Sequence, residues 1–260
     1  MPDYAADLAL ALALADDADA ISMPRFGAAD LVVESKPDLT PVSDADKAVE
    51  QAIRSRIERE RPDEAVFGEE FGSAGSSTRR WVLDPIDGTK NFVRNVPVWA
   101  TLIALMDGND VVVGVVSAPA LGRRWWAAHG SGAWVSVFGA PARRLAVSRV
   151  AAIADASVSY SSFSGDEAWG KRHAGFTGLL QEAWRTRAYG DFWSYMLVAE
   201  GAVDIAAEPE LELYDMAALY PVVTEAGGRF TGLDGGDGVL HGNAVATNGL
   251  LHDTVLSALA

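Results

Sequence analysis

The sequence predicts an α+β fold in which helices are layered on mixed β-sheets. Three observations lead to this prediction: two helical segments lie near the start of the chain, a run of short apolar segments with turn residues between them follows, and strands alternate with helices in the second half. Because each sheet and each helix must bury an apolar face, this mixture favours stacked layers.

The N-terminal half opens with two predicted helices, residues 3–24 and the segment from Ser43 or Asp44 to about Arg59. Ser43 is a candidate N-cap for the second helix, and Pro62 lies beyond its end. Short strands are predicted at 65–68 and 81–83. Gly, Asp and Pro turns separate the next strands, which therefore form a meander: 98–106, 111–117, 123–128 and 133–137.

The second half opens near Leu145. Helices are predicted around 170–183, 191–200 and 215–226, and a further helix ends the chain; strands are predicted at 157–160, 185–189, 203–207 and 244–247. We therefore expect an N-terminal α+β half, residues 1–144, and a C-terminal α/β half, residues 145–260, in one compact unit.

The composition excludes several classes of protein. Hydrophobic residues are 49% and charged residues 22% of the 260 residues, as in an ordinary soluble globular protein. The run from Ala5 to Ala15 is too short for a membrane span and lacks a basic leader, so we interpret it as an amphipathic helix. A net charge of -15 argues against nucleic acid as a partner. The absence of cysteine excludes disulfides and fits a cytoplasmic location.

Residues 81–92 read WVLDPIDGTKNF and have the features of a metal site. Pro85 disfavours helix at Asp84, so we expect the strand to end there and to expose the carboxylate. Gly88 permits a tight turn that returns Asp87 to the side of Asp84. Two adjacent carboxylates repel each other unless a cation lies between them, and Mg²⁺ prefers carboxylate oxygens together with water. The segment therefore predicts a magnesium site.

A second acidic pair, Glu69 and Glu70, follows the apolar segment 65–68. Single Asp-Pro or Asp-Gly dipeptides are usually surface turns. That interpretation does not account for four carboxylates at the ends of two strands within about twenty residues. We therefore expect these acids to share one site.

Asp215 opens a predicted helix that stops at Gly227 and Gly228, so its simplest interpretation is an N-cap. Glu208 ends the preceding strand, so it repeats the pattern of an acid at the boundary of a helix or strand. A role for Asp215 at the shared acidic site therefore stays open. Asp44 and Asp46 have the simpler interpretation of acids in the first turn of a helix.

Three segments in this order, GEE at 68–70, WVLDPIDGTKN at 81–91 and YDMAAL followed by VVTEAGG at 214–228, resemble the inositol monophosphatase superfamily of magnesium-dependent, lithium-sensitive phosphatases. The similarity spans nearly the whole chain. It implies a layered αβαβα sandwich, usually assembled as a homodimer, with two or three Mg²⁺ ions in each active site. The metal ligands that the resemblance implies are Glu69, Asp84, the backbone carbonyl of Ile86, Asp87 and Asp215.

The resemblance also implies catalytic roles for Glu69, Asp46 and Thr89, the last two holding and polarising the attacking water, with Lys36 nearby. Paired cations bind a phosphate, lower the pKa of a water and stabilise the leaving alkoxide during in-line displacement. Thr89 is at the start of a predicted short helix, whose free amides from Gly88 onward can meet phosphate oxygens. A capping role for Thr89 is compatible with this one.

Within the superfamily, the segments 90–105, 117–128 and 190–210 resemble histidinol-phosphate phosphatases of the actinobacterial type, which serve histidine biosynthesis. Asp191 follows Gly190 where many relatives that accept neutral polyols have a small polar residue, and Glu208 matches an acid that contacts substrate hydroxyls. Two carboxylates suit a substrate that carries an ammonium group and an imidazole. Arg187 is expected either near this substrate or at a subunit boundary.

Four aromatic residues are candidates to flank the imidazole, although core packing is the more common role of such side chains. They are Phe163, Trp169, Phe192 and Trp193. Three alternatives to a histidinol-phosphate phosphatase stay open: an inositol-1-monophosphatase or fructose-1,6-bisphosphatase of broad specificity, a phosphatase of 3'-phosphoadenosine compounds, which the excess of acids disfavours, and a non-catalytic metal-binding scaffold.

Overall fold

Two large β-sheets and the helices packed on them form the fold, seen in a computed structural model that describes residues 4–37, 39–163 and 168–260. The chain begins with helix α1 (Ala5–Arg25), a two-stranded hairpin of β1 (Val33–Ser35) and β2 (Pro41–Ser43), and helix α2 (Asp44–Glu60). Ser43 is the N-cap of α2, as predicted, because its side chain accepts a hydrogen bond from the amide of Ala45.

The first large sheet has eight strands in the order β10-β9-β8-β7-β6-β5-β3-β4. Only the β3–β5 pair is parallel. The predicted meander is confirmed as β6 to β9. The strands are β3 (Ala65–Gly68), β4 (Gly72–Ala74), β5 (Arg79–Asp87), β6 (Ala100–Asp107), β7 (Asp110–Ala118), β8 (Arg123–Ala128), β9 (Ala133–Val137) and β10 (Arg143–Arg144).

Strand β5 does not end at Asp84. It continues through Pro85 to Asp87, with a register shift between Asp84 and Asp87 that interrupts the ladder to β6. A strand tolerates proline at such an irregularity, and the Thr101 hydroxyl donates to the Pro85 carbonyl at 2.8 Å. Asp84 is 2% exposed, so the expectation of an exposed carboxylate is wrong. The short helix α3 (Thr89–Phe92) begins at Thr89, as predicted.

The second sheet has five strands in the order β12-β11-β13-β15-β14 and mixes parallel with antiparallel pairs. Its strands are β11 (Ser157–Ser159), β12 (Arg185–Arg187), β13 (Ile205–Glu208), β14 (Arg229–Thr231) and β15 (Ala244–Thr247). The helices of this half are α4 (His173–Glu182), α5 (Asp191–Ala199), α6 (Leu213–Met216), α7 (Leu219–Glu225) and α8 (His252–Leu259).

The single helix predicted for 215–226 is divided into α6 and α7. Asp215 is the third residue of α6, and Glu212 is its N-cap. The prediction of Asp215 as an N-cap is therefore wrong. Its carboxylate instead accepts a hydrogen bond from the Glu212 amide at 2.7 Å, the reciprocal contact of a capping box.

Three buried clusters show how the layers stack. Helices α1 and α2 pack on one face of the eight-stranded sheet, α5 and α7 lie between the two sheets, and α4 and α8 pack on the outer face of the five-stranded sheet. This arrangement confirms the predicted αβαβα sandwich. The central cluster contains residues from both sides of position 145, and the division into halves stays a prediction. Among the described residues, no helix has the length and apolar character that crossing a membrane requires.

Candidate metal centre

Three carboxylates converge between the two sheets. Asp84 and Asp87 come from the end of β5, and Asp215 comes from α6. One oxygen of each lies within 4.8 Å of the others. Residues separated by more than 120 positions therefore meet, because α6 is packed against β5.

The three carboxylates differ in their hydrogen-bond partners. Oδ2 of Asp87 accepts from the backbone amide of Phe192 at 2.7 Å, and Oδ2 of Asp215 accepts from the amide of Glu212. Oδ1 of Asp84 is buried and has no hydrogen-bond partner among the described residues. An ionised oxygen in that position is unfavourable unless a positive charge reaches it.

Burial shifts the titration of this cluster. It is the main cause that raises the pKa of Asp84 well above its ordinary value, and the charges of Glu69 and Asp87 add to it. Burial likewise raises the pKa of Asp87 well above its ordinary value and that of Asp215 to about 7. Hard carboxylate oxygens brought together in this way fit a divalent cation such as Mg²⁺, which would favour their ionised forms.

Glu69 lies beside the cluster but is paired differently. It follows β3, and its amide donates to the Leu83 carbonyl at 3.2 Å, one residue before Asp84. The Lys36 ammonium contacts Oε1 of Glu69 and Oε1 of Glu70, both at 2.7 Å. The structure thus brings Glu69 and Lys36 to the predicted site, although the group of three closest carboxylates does not include Glu69.

Asp46 and Thr89 form a second polar pair next to the metal candidates. The Thr89 hydroxyl lies 3.1 Å from Oδ1 of Asp46 and 3.0 Å from the carbonyl oxygen of Ile86. Oδ2 of Asp46 accepts from the amide of Ser43 at 2.8 Å and from its hydroxyl at 2.5 Å. Asp46 is fully buried, which raises its pKa. Asp46 is an acid of the first helical turn, as predicted, where it completes the capping box of α2 with Ser43, and it also contacts Thr89.

Gly88 makes the turn between β5 and α3. Its φ of 86° is in the left-handed region, which favours glycine. A Cβ atom at this position would lie 2.9 Å from the Val98 carbonyl oxygen and 3.1 Å from Oδ2 of Asp191. Asp191 is the first residue of α5, so the start of this helix lies against the turn that follows Asp87.

A cavity of about 130 Å³ opens beside the carboxylates. Glu208, the last residue of β13, lines it, and burial raises the pKa of this side chain to about 8. Such a cavity suits a cationic group. The lining residues are Asp87, Asp191, Phe192, Tyr195, Glu208, Leu211, Asp215 and Leu219.

Asp191 adopts a conformation that is uncommon for a residue other than glycine, with φ of 46°. Its amide donates to the Ser161 hydroxyl at 2.7 Å, and its Oδ2 accepts from the Asn91 side chain at 3.1 Å. Gly190, with φ of 86°, precedes it. These contacts hold Asp191 at the wall of the cavity, and its contact with substrate stays a prediction.

Three residues that were not predicted from the sequence also line the cavity: Tyr195, Leu211 and Leu219. Tyr195 carried a signal, because it is four residues after Asp191 and therefore lies on the same face of a helix. Leu211 and Leu219 lie on either side of α6, and no helical spacing of this kind relates them to a predicted site residue.

Several predicted substrate contacts are not at the cavity. Arg187 is exposed at the edge strand β12, where its guanidinium donates to the Thr186 carbonyl at 2.7 Å. Trp169 stacks on Phe176 with 3.7 Å between ring centroids, and Trp193 packs against Tyr189. Phe163 is 47% exposed. Of the four aromatic candidates, Phe192 alone is among the lining residues, and it is also part of the buried core.

Comparison with known proteins agrees with this architecture. The model of the inositol monophosphatase family matches residues 3–260. The chain belongs to this family. Among solved structures, the extragenic suppressor protein suhB from Bartonella henselae superposes on this inositol monophosphatase family member with a TM-score of 0.89 and 28% identity, over 98% of each chain.

Two relatives of this family member are similar over almost their whole length. A histidinol-phosphatase from Streptomyces coelicolor is 62% identical over 100% of this chain and 98% of the relative. A histidinol-phosphatase from Mycobacterium tuberculosis is 61% identical, over 97% of this chain and 97% of the relative. The resemblance to the family that was drawn from three short motifs is therefore confirmed.

Proposed function

We propose that this protein hydrolyses L-histidinol phosphate to L-histidinol and phosphate, a step of histidine biosynthesis. The observation that carries the proposal is the identity of 61% to 62% with two histidinol-phosphatases over nearly all of each chain. The acidic cavity beside the three carboxylates supports it, because histidinol phosphate carries an ammonium group and an imidazole next to its phosphate ester.

Mg²⁺ is the proposed cofactor, with two or three ions in each site. The residues that would hold it are Glu69, Asp84, the carbonyl of Ile86, Asp87 and Asp215. When bound, the ions supply positive charge to the phosphate and lower the pKa of a coordinated water. The buried, unpartnered Oδ1 of Asp84 supports this proposal, since an ionised oxygen there requires compensation.

Asp46 and Thr89 are proposed to orient the attacking water. The Thr89 hydroxyl has one hydrogen for two acceptors, Oδ1 of Asp46 and the Ile86 carbonyl, and its oxygen keeps lone pairs to accept a hydrogen bond from water. That bond directs a lone pair of the water toward phosphorus. The proton released by the water passes to the Thr89 oxygen as the Thr89 hydroxyl proton passes to Oδ1 of Asp46, whose basicity is increased because burial raises its pKa.

The amides of Gly88 and Thr89, at the start of α3, are proposed to contact phosphate oxygens, whereas those of Asn91 and Phe92 already donate to the Gly88 carbonyl. Lys36 is proposed to contribute positive charge, which Glu69 and Glu70 hold in place. Gly190, Asp191 and Glu208 form the proposed binding surface for the histidinol moiety. Arg187 is proposed to act at a subunit boundary, since it does not line the cavity.

Three further properties are proposed from family membership alone: assembly as a homodimer, a cytoplasmic location and inhibition by lithium. The main alternative activity is that of an inositol-1-monophosphatase or fructose-1,6-bisphosphatase, which would use the same carboxylates. A non-catalytic scaffold is disfavoured because every acid of the motif is present.

The test is phosphate release from a panel of four substrates: histidinol phosphate, inositol monophosphate, fructose bisphosphate and an adenosine bisphosphate. Each is measured with Mg²⁺ and with EDTA. The proposal predicts one dominant substrate, histidinol phosphate, and a requirement for Mg²⁺. A higher kcat/KM for inositol monophosphate or fructose bisphosphate would assign the alternative activity, and the absence of release from all four would favour the scaffold.

A further inference from the structure

A fully buried glutamate, Glu50 on α2, lies directly beneath the turn that carries Glu69. Its Oε2 accepts from the backbone amide of Glu70 at 2.7 Å, and its Oε1 accepts from the amide of Phe71 at 3.2 Å. The guanidinium of Arg54, one helical turn away, donates to Oε1 at 2.7 Å. One carboxylate therefore contacts the two residues that follow Glu69.

The backbone before Glu69 is also in contact with this carboxylate. A Cβ atom on Gly68 would lie 2.2 Å from Oε1 of Glu50 and 2.4 Å from its carboxyl carbon. Gly68 therefore allows β3 to end against the carboxylate. The Glu69 amide itself donates to the Leu83 carbonyl on β5. All three amides of residues 69–71 thus have a fixed acceptor.

Burying a carboxylate so that it accepts hydrogen bonds from two amides is unfavourable unless its negative charge is compensated. Arg54 provides that compensation here, and its Nη2 also donates to the Gly72 carbonyl, beyond the turn. The turn between β3 and β4 is therefore bound at both ends to α2. The same face of α2 carries Asp46, one turn before Glu50, and both side chains are fully buried.

We propose that Glu50 is a positioning residue: it holds the turn that carries Glu69, so that the Glu69 carboxylate is placed to bind the divalent cation. Helix α2 therefore positions both Asp46, which orients the water, and the turn of Glu69. This inference rests on the proposed function, in which Glu69 binds metal. Glu50 does not touch the three converging carboxylates and acts through the backbone of residues 68–71.

The experiment compares Glu50→Gln with the wild-type protein. Glutamine keeps the shape but places an amide nitrogen among donors, so the turn loses one of its contacts. We expect the Kd for Mg²⁺, measured by isothermal titration calorimetry, to rise roughly 10-fold, the scale on which residues that orient a metal ligand act. The KM for histidinol phosphate at saturating Mg²⁺ should change less than twofold. Glu58→Gln, the same change at an exposed position of α2, is the matched control and should change neither constant.

A double-mutant cycle separates positioning from a general structural role. If Glu50 acts through Glu69, Glu50→Gln should weaken Mg²⁺ binding in the wild-type background and have no further effect in a Glu69→Gln background. An equal effect in both backgrounds, or an unchanged Kd in folded Glu50→Gln, overturns the inference. If Glu69→Gln itself leaves the Kd unchanged, the metal role of Glu69 in the proposed function is wrong, which is a distinguishable failure.

Circular dichroism melting in EDTA establishes that each variant is folded before binding is measured. Should Glu50→Gln not fold, Glu50→Asp takes its place in the same cycle, because it keeps the charge and withdraws the carboxylate by one methylene. It is expected to give the same dependence on Glu69. Failure of both variants to fold would assign Glu50 to folding and contradict the inference.

Discussion

The backbone amide of Phe192 donates a hydrogen bond of 2.7 Å to Oδ2 of Asp87. This contact joins the first turn of α5 to the end of β5, although the two residues are 105 positions apart. Because α5 lines the cavity and β5 carries two of the three converging carboxylates, this hydrogen bond links the proposed substrate surface directly to the proposed metal site.

Neutralising Asp84 or Asp87 should abolish turnover without unfolding the protein. In Asp84→Asn or Asp87→Asn we expect kcat to fall about 100-fold or more, because a preorganised charge is lost from the reacting centre. The melting temperature in EDTA should stay level or rise, since each substitution removes an acid whose ionised form is disfavoured first by burial and then by the neighbouring acids. Near-normal hydrolysis by either variant at saturating Mg²⁺ would contradict the site assignment.

Asp191 should contribute to discrimination between substrates. In Asp191→Asn the contact with Asn91 can persist through the amide oxygen, while the negative charge at the cavity wall is lost. We expect kcat/KM for histidinol phosphate to fall about 10-fold or more, the scale of a charge-assisted hydrogen bond, with a smaller change for inositol monophosphate.

The exposed Asp155 provides the matched control, because Asp155→Asn removes the same charge away from the cavity. Equal losses for both substrates in Asp191→Asn would show that Asp191 supports the site as a whole and does not select the substrate.

Removing the metal should make stability depend on pH through the acidic cluster. Burial raises the pKa of Asp215 to about 7 and that of Glu208 to about 8, above their unfolded values of 3.8 and 4.5. Metal-free folded protein therefore holds protons that the unfolded chain has released, and its stability decreases as pH rises from about 4.5 to about 8.

Mg²⁺ binds the ionised carboxylates, so its stabilising effect should increase over the same range. The measurement is the shift of melting temperature on adding Mg²⁺ at pH 6 and at pH 8. A shift that is no larger at pH 8 would show that the bound ion does not compete with protons at these carboxylates.

His252 should give the opposite pH dependence at lower pH. Its ring is fully buried between the hydroxyls of Thr231 and Thr247, at 2.9 and 3.0 Å, and burial lowers its pKa from 6.5 to about 4. The unfolded chain therefore binds a proton that the folded protein excludes, and stability decreases as pH falls from 6.5 toward 4. Between pH 8 and pH 5 this linkage is about 2 kcal/mol for a group with these two pKa values.

Urea unfolding of His252→Gln and of the wild-type protein at pH 8 and pH 5 tests this prediction. The variant should be less stable at pH 8 and should lose about 2 kcal/mol less than the wild-type protein on acidification. His129→Gln, at an exposed histidine, is the control and should follow the wild-type protein. Parallel losses in His252→Gln and the wild-type protein would exclude His252 as the titrating group.

Local signals in the sequence were sufficient for much of the fold. Ser43 at the start of α2, the turn residues between β6 and β9, and the turn at Gly88 all act on near neighbours, so their patterns could be interpreted directly. The short strands β1, β2, β4, β10 and β14 could not be predicted. Each has two or three residues, and its existence depends on pairing with a partner strand.

The residues of the candidate site could be predicted from the sequence more completely than their arrangement in space. Reasoning from the acids alone joined Asp84 to Asp87, and the resemblance to the family added Asp215; the structure brings these three carboxylates together. The register shift that keeps β5 continuous to Asp87, and the break that makes Asp215 the third residue of α6, depend on packing between the two sheets. For the same reason, the position of Arg187 on an edge strand away from the cavity could not be predicted.

A crystal of the protein soaked in Mn²⁺, a substitute for Mg²⁺ with a measurable anomalous signal, tests most directly whether the three carboxylates bind divalent cations. We expect anomalous peaks within about 2.0 to 2.6 Å of carboxylate oxygens of Asp84, Asp87 and Asp215, the range for hard cations with oxygen ligands. Peaks confined to other parts of the surface, with these three carboxylates unoccupied at saturating Mn²⁺, would contradict this expectation.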